Sequence, residues 1–217
     1  GYVALGLFQS QEEIDSSPKQ ELGTYTVGDV KYKDINNDNV INAYDRVYIG
    51  YAREPEIMFG FGFTTAWRGV DFSVNFTGAA NTTILLDAAG MWPFQLDYPG
   101  YNVYREYYDH RFIPGADNTN AKYPVVHNGT SSNNYQISSL YLHDASYIKL
   151  KTAELGYTIP KRASAKIGLE RLRFFVNGNN LLCLDHLNGM VDPESNHLGA
   201  STYPTQMAIT LGVDVGF

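Results

Sequence analysis

The chain has 217 residues, enough for one large or two small domains, and only 18% are charged, against roughly 25% in ordinary soluble proteins. Its net charge of −7 argues against a nucleic-acid partner and against an anionic membrane surface as the main target. The single cysteine, Cys183, excludes an internal disulfide and a cysteine metal cluster. No run of eighteen apolar residues predicts a transmembrane helix, so the remaining membrane option is a β-barrel.

A first pair of strands is indicated by alternation with a period of two. From 57 to 67 the odd positions are mostly large and apolar, and from 70 to 76 the even positions are. Arg68-Gly69 between them predicts a tight turn. Residues 56–81 are therefore predicted to form a hairpin whose strands of about 10 residues have the length of a tilted membrane-crossing strand.

Three more strands are predicted within residues 147–217. In the segment 147–158 the apolar residues change parity, which predicts a β-bulge near Lys151 or Thr152. The next strand begins at Leu172, and the last alternates from Ile209 to Phe217. The predicted fold is all-β: about five strands of a large antiparallel transmembrane barrel.

The connections between these strands are strongly asymmetric. The turn at 68–69 and the segment 160–170 are short, whereas 1–55, 82–146 and 188–205 are long. Short periplasmic turns opposite long extracellular loops are typical of bacterial outer-membrane barrels. The second face of the strands carries Gly, Ser, Thr, Asn and a few charges, which suits a wet lumen or a crowded interior. A secreted, calcium-stabilised, carbohydrate-binding β-sandwich remains the alternative.

An Asp- and Asn-rich loop at 34–45 has the spacing of an EF-hand calcium loop. Asn39 stands where that loop has its turn glycine, and an aspartate takes the place of the final glutamate. The alternative is a turn whose carboxylates bind backbone amides without metal. The predicted oxygen ligands of a structural Ca²⁺ are Asp34, Asn36, Asp38, Val40 and Asp45.

The longest loop is rich in aromatic residues that could stack on sugar rings. Tyr101, Tyr104 and Tyr108 have the spacing of one face of a short helix, and Trp92 precedes them. Packing of the loop against the rest of the protein is the alternative for all four. They are predicted ligand-binding residues.

Signatures of catalysis are scarce, and the chain is predicted not to be an enzyme. The five histidines are scattered without metal-binding spacing. Glu12 and Glu13 are adjacent and, in a predicted strand, would face opposite ways, which makes them a poor glycosidase pair.

Several ordered motifs resemble SusC/RagA-type TonB-linked outer-membrane proteins. They span essentially the whole chain, and the segment 91–134 resembles the family least. In chain order, the motifs are Gly28-Asp29-Val30-Lys31-Tyr32-Lys33-Asp34, Asp144-Ala145-Ser146-Tyr147-Ile148-Lys149-Leu150-Lys151, Leu155-Gly156-Tyr157-Thr158-Ile159-Pro160, Leu172-Arg173-Phe174-Phe175-Val176-Asn177-Gly178-Asn179-Asn180-Leu181-Leu182, Asp192-Pro193-Glu194, Tyr203-Pro204 and the terminal Phe217.

The resemblance implies a plugged barrel of about 22 strands that imports glycans or peptides with energy from TonB. Such a barrel works beneath a SusD-like lipoprotein. The chain looks like the last quarter of one, with long loops extracellular and the C-terminus periplasmic. The rest of the barrel, the plug and the TonB contact would lie outside this chain. By the same resemblance, the final strand looks like a barrel-assembly signal formed by Leu211, Val213, Val215 and Phe217.

Overall fold

The computed structural model describes residues 1–87, 90–94, 102–194 and 205–217. They belong to two compact units. The sheet unit comprises Glu54–Thr82, Ala145–His186 and Tyr203–Phe217, and the loop unit comprises Gly1–Arg53, Thr83–Asp144 and Leu187–Thr202. Within the described part of the chain, no helix has the length and apolar character needed to cross a membrane.

Strands account for most of the regular structure. The helices are short: α1 Gln11–Ser16, α2 Arg105–Asp109 and α3 Lys161–Ser164, with 3₁₀ turns at Ala43–Asp45 and Ala165–Ile167. The strands are β1 Ala4–Leu7, β2 Lys19–Gln20, β3 Val30–Tyr32, β4 Val40–Ile41, β5 Ile57–Trp67, β6 Val70–Ala80, β7 Thr83–Leu85, β8 Leu142–Asp144, β9 Tyr147–Thr158, β10 Arg171–Leu184 and β11 Ala208–Gly216.

The sheet unit contains one antiparallel sheet of five strands in the order β5-β6-β9-β10-β11. The shortest of these strands has nine residues and the longest, β10, has fourteen. Each strand is hydrogen-bonded to the next strand of the unit along the chain, so the sheet is a simple meander. Strand β10 continues seven residues beyond Asn177, where the alternation in the sequence ends.

The change of parity in β9 is a β-bulge, as predicted. Thr152 pairs with Asn75, but the next pair is Leu150 with Phe76, so Lys151 has no partner on β6. The extra residue brings Leu150 and Leu155 to the same face of the sheet, although their sequence positions have opposite parity.

Two tight connections join neighbouring strands at the same end of this sheet. Arg68 and Gly69 both have positive φ, 51° and 89°, which is the conformation of a type I′ hairpin turn. A Cβ atom at Gly69 would lie 2.7 Å from the carbonyl oxygen of Thr158, so only glycine fits. The connection after β9 makes a helical turn that ends at Gly168, with φ of 77°.

The described residues of the loop unit include three pairs of short strands and a buried apolar cluster. Strand β1 pairs with β3 and β7 with β8, both antiparallel, and β2 pairs with β4 in parallel. Such short ladders leave many backbone groups to be satisfied by other partners. The buried apolar core consists of Tyr2, Leu7, Val30, Tyr32, Ile41 and Phe112.

Buried amide side chains complete the hydrogen bonding of β3. The Gln20 amide donates to the Val30 carbonyl at 2.9 Å and accepts from the Tyr32 N–H at 2.7 Å, as a neighbouring strand would. The Asn134 side chain accepts from the Val30 N–H at 3.0 Å. Residues more than a hundred positions apart in sequence thereby form one polar core.

The prediction of a strand at Glu12 and Glu13 is wrong, because both lie in α1. Ser10 is the N-cap residue of this helix, and its Oγ accepts the Glu13 N–H at 3.2 Å. The Glu13 carboxylate accepts the Gln9 N–H at 2.7 Å and binds Lys31 at 3.0 Å. Ser at the N-cap followed by Glu three residues later is a helix-start signal that outweighs strand character.

Candidate functional site

One face of the five-stranded sheet is apolar from edge to edge. Directly paired residues of antiparallel strands share a face, and the pairing joins Phe72 to Leu155, Leu155 to Val176, and Val176 to Leu211. The exposed large side chains of this face are Ile57, Phe59, Phe61, Phe63, Trp67, Val70, Leu155, Tyr157, Phe174, Leu182, Leu184, Ile209, Leu211, Val213 and Val215.

No second sheet among the described residues covers this apolar face. Phe61 and Val213 are each 55% exposed, and the described residues of the sheet unit form a single sheet. A contiguous apolar surface of this extent marks an interaction surface, since soluble monomers rarely expose patches beyond a few hundred Å².

The opposite face carries a network of ionic and amide groups. The Arg173 guanidinium binds the Asp71 carboxylate with two hydrogen bonds and the Glu154 carboxylate at 2.6 Å. Asn177 donates to the second Glu154 oxygen at 3.0 Å, and Asn179 donates to Asn177 at 2.9 Å. These groups link strands β6, β9 and β10 across the polar face.

Glycines on this face make room for the large side chains beside them. A Cβ atom at Gly156 would lie 2.3 Å from the Arg173 guanidinium, and one at Gly212 would lie 2.2 Å from the Phe175 ring. The polar face is therefore closely packed along these strands.

The strand residues predicted as an assembly signal lie on the apolar face. Leu211, Val213 and Val215 of β11 are exposed, with Leu211 at 81%. Phe217 follows the last strand and is also exposed.

The predicted aromatic ligand residues occupy different environments in the loop unit. Trp92 stacks on Tyr135 with ring centroids 5.4 Å apart. Tyr104 is half-buried and burial raises its pKa, whereas Tyr108 is exposed with the Arg111 guanidinium over its ring. Tyr101 lies outside the described residues.

The helix predicted to carry these tyrosines is shorter than their spacing suggests. Helix α2 begins only at Arg105, and Tyr104 is the N-cap residue of this helix, with extended backbone. The Tyr108 N–H still donates to the Tyr104 carbonyl at 3.0 Å, so these two are one helical turn apart. The residue of α2 that is fully buried is Tyr107, which the sequence did not single out because helical spacing alone does not tell which face is covered.

The Asp- and Asn-rich loop at 34–45, called the Asx loop, is held by hydrogen bonds from its backbone to its own side chains. The Asp34 carboxylate accepts the N–H groups of Asn37 and Asn39 at 2.7 and 2.8 Å. The Asp38 carboxylate accepts the Val40 N–H at 2.9 Å, and its other oxygen accepts the Asn36 side-chain amide at 2.9 Å. Asn39 has φ of 63°, the left-handed conformation that its position in a calcium loop requires.

The last predicted ligand is the most enclosed of the set. Asp45 is fully buried, and its two oxygens accept the N–H groups of Ile35 and Asn42, each at 2.8 Å. Within the described ranges, no group of three or more His, Cys, Asp or Glu side chains is arranged to hold a metal. The oxygen set predicted for Ca²⁺ includes an asparagine and a backbone carbonyl besides its carboxylates.

A pocket of about 420 Å³ in the loop unit was not predicted from the sequence. It is lined by Glu106, which pairs with Lys122 at 3.3 Å, and by His143 and Tyr123. Burial lowers the pKa of His143, with Glu106 opposing the shift, and burial raises the pKa of Tyr123 to about 12. Its lining comes from distant segments, so no local motif could have indicated it.

Comparison with known proteins gives consistent relatives, although no protein-family model matches the chain. Over 229 aligned residues the chain is 30% identical to TonB-dependent receptor P26 of Formosa agariphila, and all of it is covered. It is 26% identical to TonB-dependent receptor P3 of the same organism, again over its whole length. The chain is homologous to TonB-dependent receptors. It spans 22% of the length of each of these two relatives.

Solved structures agree with this assignment at the level of the fold. The whole chain matches the RagAB peptide transporter with a TM-score of 0.69 and 16% identity. It matches the RagAB peptide importer in the 'open-open' state with a TM-score of 0.67 and 16% identity. The chain spans 22% of each matched chain.

These matches confirm three predictions made from the sequence. The SusC/RagA-type resemblance is confirmed, and so is the all-β fold class of antiparallel barrel strands. The relatives are receptors rather than enzymes, in agreement with the prediction that the chain is not an enzyme.

Proposed function

We propose that this chain is part of a TonB-dependent outer-membrane transporter that imports nutrient oligomers, either glycans or peptides. The observation that carries the proposal is the apolar face that runs unbroken across all five strands. Homology to TonB-dependent receptors over the whole chain supports it.

In this proposal the apolar face contacts outer-membrane lipid. Phe63 and Leu211 then lie in hydrocarbon, where their side chains avoid the free-energy penalty of exposing apolar surface to water. Strands β5 and β11 each leave one edge unpaired within the sheet. Unpaired backbone is not tolerated in lipid, so further strands of the receptor complete the barrel on both sides.

The polar face, with Arg173 and its two carboxylate partners, lines the barrel interior. The short connections at Arg68-Gly69 and α3 lie on the periplasmic side, and the long segments of the loop unit are extracellular. The plug and the contact with TonB belong to other parts of the receptor. A SusD-like lipoprotein covers the extracellular side, and Trp92, Tyr101, Tyr104 and Tyr108 contribute to ligand contact there.

Fractionation of cells that express the full-length receptor tests the membrane assignment. We expect the receptor to stay in the membrane fraction after a carbonate wash and to migrate faster on a gel when unheated than when boiled. Release into the soluble fraction would contradict the proposal and favour the secreted sandwich.

Binding assays on the receptor with its lipoprotein partner, using panels of oligosaccharides and peptides, test import and its substrate class. We expect saturable binding of one class and weaker binding after Trp92→Ala, which removes a stacked indole. Tyr44→Ala, at an exposed tyrosine of the same unit, is the control. Absence of binding to both classes would contradict the import role.

We further propose that the Asx loop holds a structural Ca²⁺ through Asp34, Asn36, Asp38, Val40 and Asp45. A bound ion stabilises the state that binds it, so Ca²⁺ should slow proteolysis of the loop unit. The double variant Asp34→Asn/Asp38→Asn keeps one oxygen on each side chain but removes two charges, and should lose the effect. Asp15→Asn is the matched control in α1, and protection that is equal in all variants would contradict the site.

A further inference from the structure

Four cationic side chains lie at the end of the sheet where the connections between strands are short. Arg68 lies in the turn between β5 and β6, and Lys161, Arg162 and Lys166 lie in the helical connection between β9 and β10. The Thr158 N–H donates to the Gly69 carbonyl at 2.7 Å, so the two connections are neighbours. These four residues are called the basic edge.

The cations of the basic edge are available for a partner. Lys161, Arg162 and Lys166 are all exposed, and none of them forms an ion pair with a carboxylate among the described residues. Nearby Asp214 is already paired with Arg171 at 3.1 Å. The chain as a whole has a net charge of −7, so a local excess of positive charge here runs against its composition.

Exposed apolar side chains lie beside these cations. Trp67 is 69% exposed, and the Arg68 guanidinium lies over its indole at 4.7 Å from the ring centroid. Ile167, within the helical connection itself, is 65% exposed. Tyr157 pairs with Val70 at the same end of the apolar face. Aromatic and basic side chains are together at the end of an apolar face, the arrangement that suits a membrane–water interface.

We propose that the basic edge binds the headgroups of anionic phospholipids. The inference rests on the proposed function, since it takes the apolar face to contact lipid. The headgroup phosphate receives charge-assisted hydrogen bonds from Lys161, Arg162, Lys166 and Arg68, while the acyl chains lie along the strands beyond Trp67. Charge complementarity selects an anionic headgroup over a zwitterionic one.

Lipid retention by the purified full-length receptor tests this inference. The receptor is mixed in detergent with equal amounts of phosphatidylglycerol and phosphatidylethanolamine, and bound lipid is counted by native mass spectrometry. We expect a preference for phosphatidylglycerol that falls about tenfold or more in Lys161→Gln/Arg162→Gln/Lys166→Gln, because each cation near a headgroup layer contributes substantially. The preference should also weaken as salt rises.

Matched variants separate a specific site from a general effect of charge. Lys19→Gln/Lys33→Gln/Arg105→Gln removes three exposed cations from the loop unit and should leave the preference unchanged. Lys161→Arg/Lys166→Arg keeps the charge and should keep the preference. An equal loss in the loop-unit variant, or equal retention of both lipids by the unaltered receptor, would overturn the inference.

One further readout identifies the occupant, and another separates this inference from the proposed function. Inorganic phosphate at the concentration of the lipid should not displace phosphatidylglycerol, and full displacement would overturn the lipid as the occupant. Heat-modifiable migration reports the barrel itself. A receptor that is heat-modifiable but shows no lipid preference refutes only the basic edge, whereas a receptor that is neither membrane-bound nor heat-modifiable refutes the proposed function.

Discussion

The two units of this chain place their large apolar side chains in opposite ways. In the sheet unit Phe63 and Leu211 are exposed, and the ionic groups bind one another on the other face. In the loop unit Tyr32, Tyr141 and Phe8 are buried, and exposed positions are mostly polar. One chain therefore buries its large apolar side chains in one unit and exposes them on one face of a sheet in the other.

Alternation by itself does not say what covers an apolar face. Both a sandwich and a barrel alternate with a period of two. The exposure of the alternating residues distinguishes them, since a sandwich buries the face that this sheet leaves open. The following substitutions test that contrast.

The largest effect is expected from a cavity in the loop unit. Phe8 is fully buried and stacks on Tyr25 with ring centroids 5.5 Å apart. Phe8→Ala should destabilise the loop unit by about 3–5 kcal/mol, because it removes buried apolar contacts and leaves a void. Limited proteolysis of the full-length receptor should show faster cleavage in this unit with heat-modifiability retained. Tyr44→Ala, at a residue 82% exposed, should change little.

A charge on the apolar face should affect the sheet unit next most strongly. Phe63→Arg should cost about 2–4 kcal/mol if the side chain lies near the bilayer midplane. The heat-modifiable fraction of the receptor should fall. Leu5→Arg is the control, because Leu5 is exposed to the same extent but lies in the loop unit, outside the apolar face of the sheet. Equal tolerance of both changes would remove the contrast between the units.

The polar core of the loop unit should give a smaller effect. Asn133 is fully buried, donates to the Val30 carbonyl at 3.1 Å and accepts from Gln20 at 2.7 Å. Asn133→Ala leaves one Gln20 amide N–H without its acceptor and the Val30 carbonyl with the Gln20 amide as its remaining donor, and should cost about 1–3 kcal/mol. Urea-dependent proteolysis of the loop unit measures the change, with exposed Asn102→Ala as the control. No difference between the two variants would contradict the polar core.

The smallest effect is a pH dependence confined to the loop unit. Burial lowers the pKa of His143 in the folded protein, so the unfolded chain binds more protons below the ordinary histidine pKa. Stability contributed by neutral His143 is complete above that value and is lost as the pH falls through and below it. Proteolysis at pH 7.5 and 5.5 should show this loss, and His143→Gln should reduce it. An unchanged pH dependence in the variant would contradict the assignment.

The sheet was predictable from sequence because its determinants are local. The change of parity at Lys151 indicated the bulge, and Arg68-Gly69 indicated the turn. The two short connections keep β5 beside β6 and β9 beside β10. The whole length of β10 did not follow, because its alternation fades after Asn177 while its hydrogen-bonded register continues to Leu184.

The loop unit was less predictable because its determinants are distant in sequence. Gln20 completes the hydrogen bonding of β3 with Asn133 and Asn134, which follow more than a hundred residues later. Helix α1 did have a local signal, the Ser10 and Glu13 pair, and its neglect was an error of interpretation. The aromatic candidates could be identified by type, but burial separates Tyr104 from Tyr108 only in the folded chain.

The most direct test of the account measures which residues of β11 contact lipid. Single cysteines at Thr210, Leu211, Val213 and Asp214 are introduced into the full-length receptor with Cys183→Ser, and each is labelled with a spin probe in a bilayer. We expect alternation, with high accessibility to lipid-soluble oxygen at Leu211 and Val213 and to a water-soluble relaxant at Thr210 and Asp214. Uniform access of the water-soluble reagent at all four positions would contradict the assignment of the apolar face to lipid.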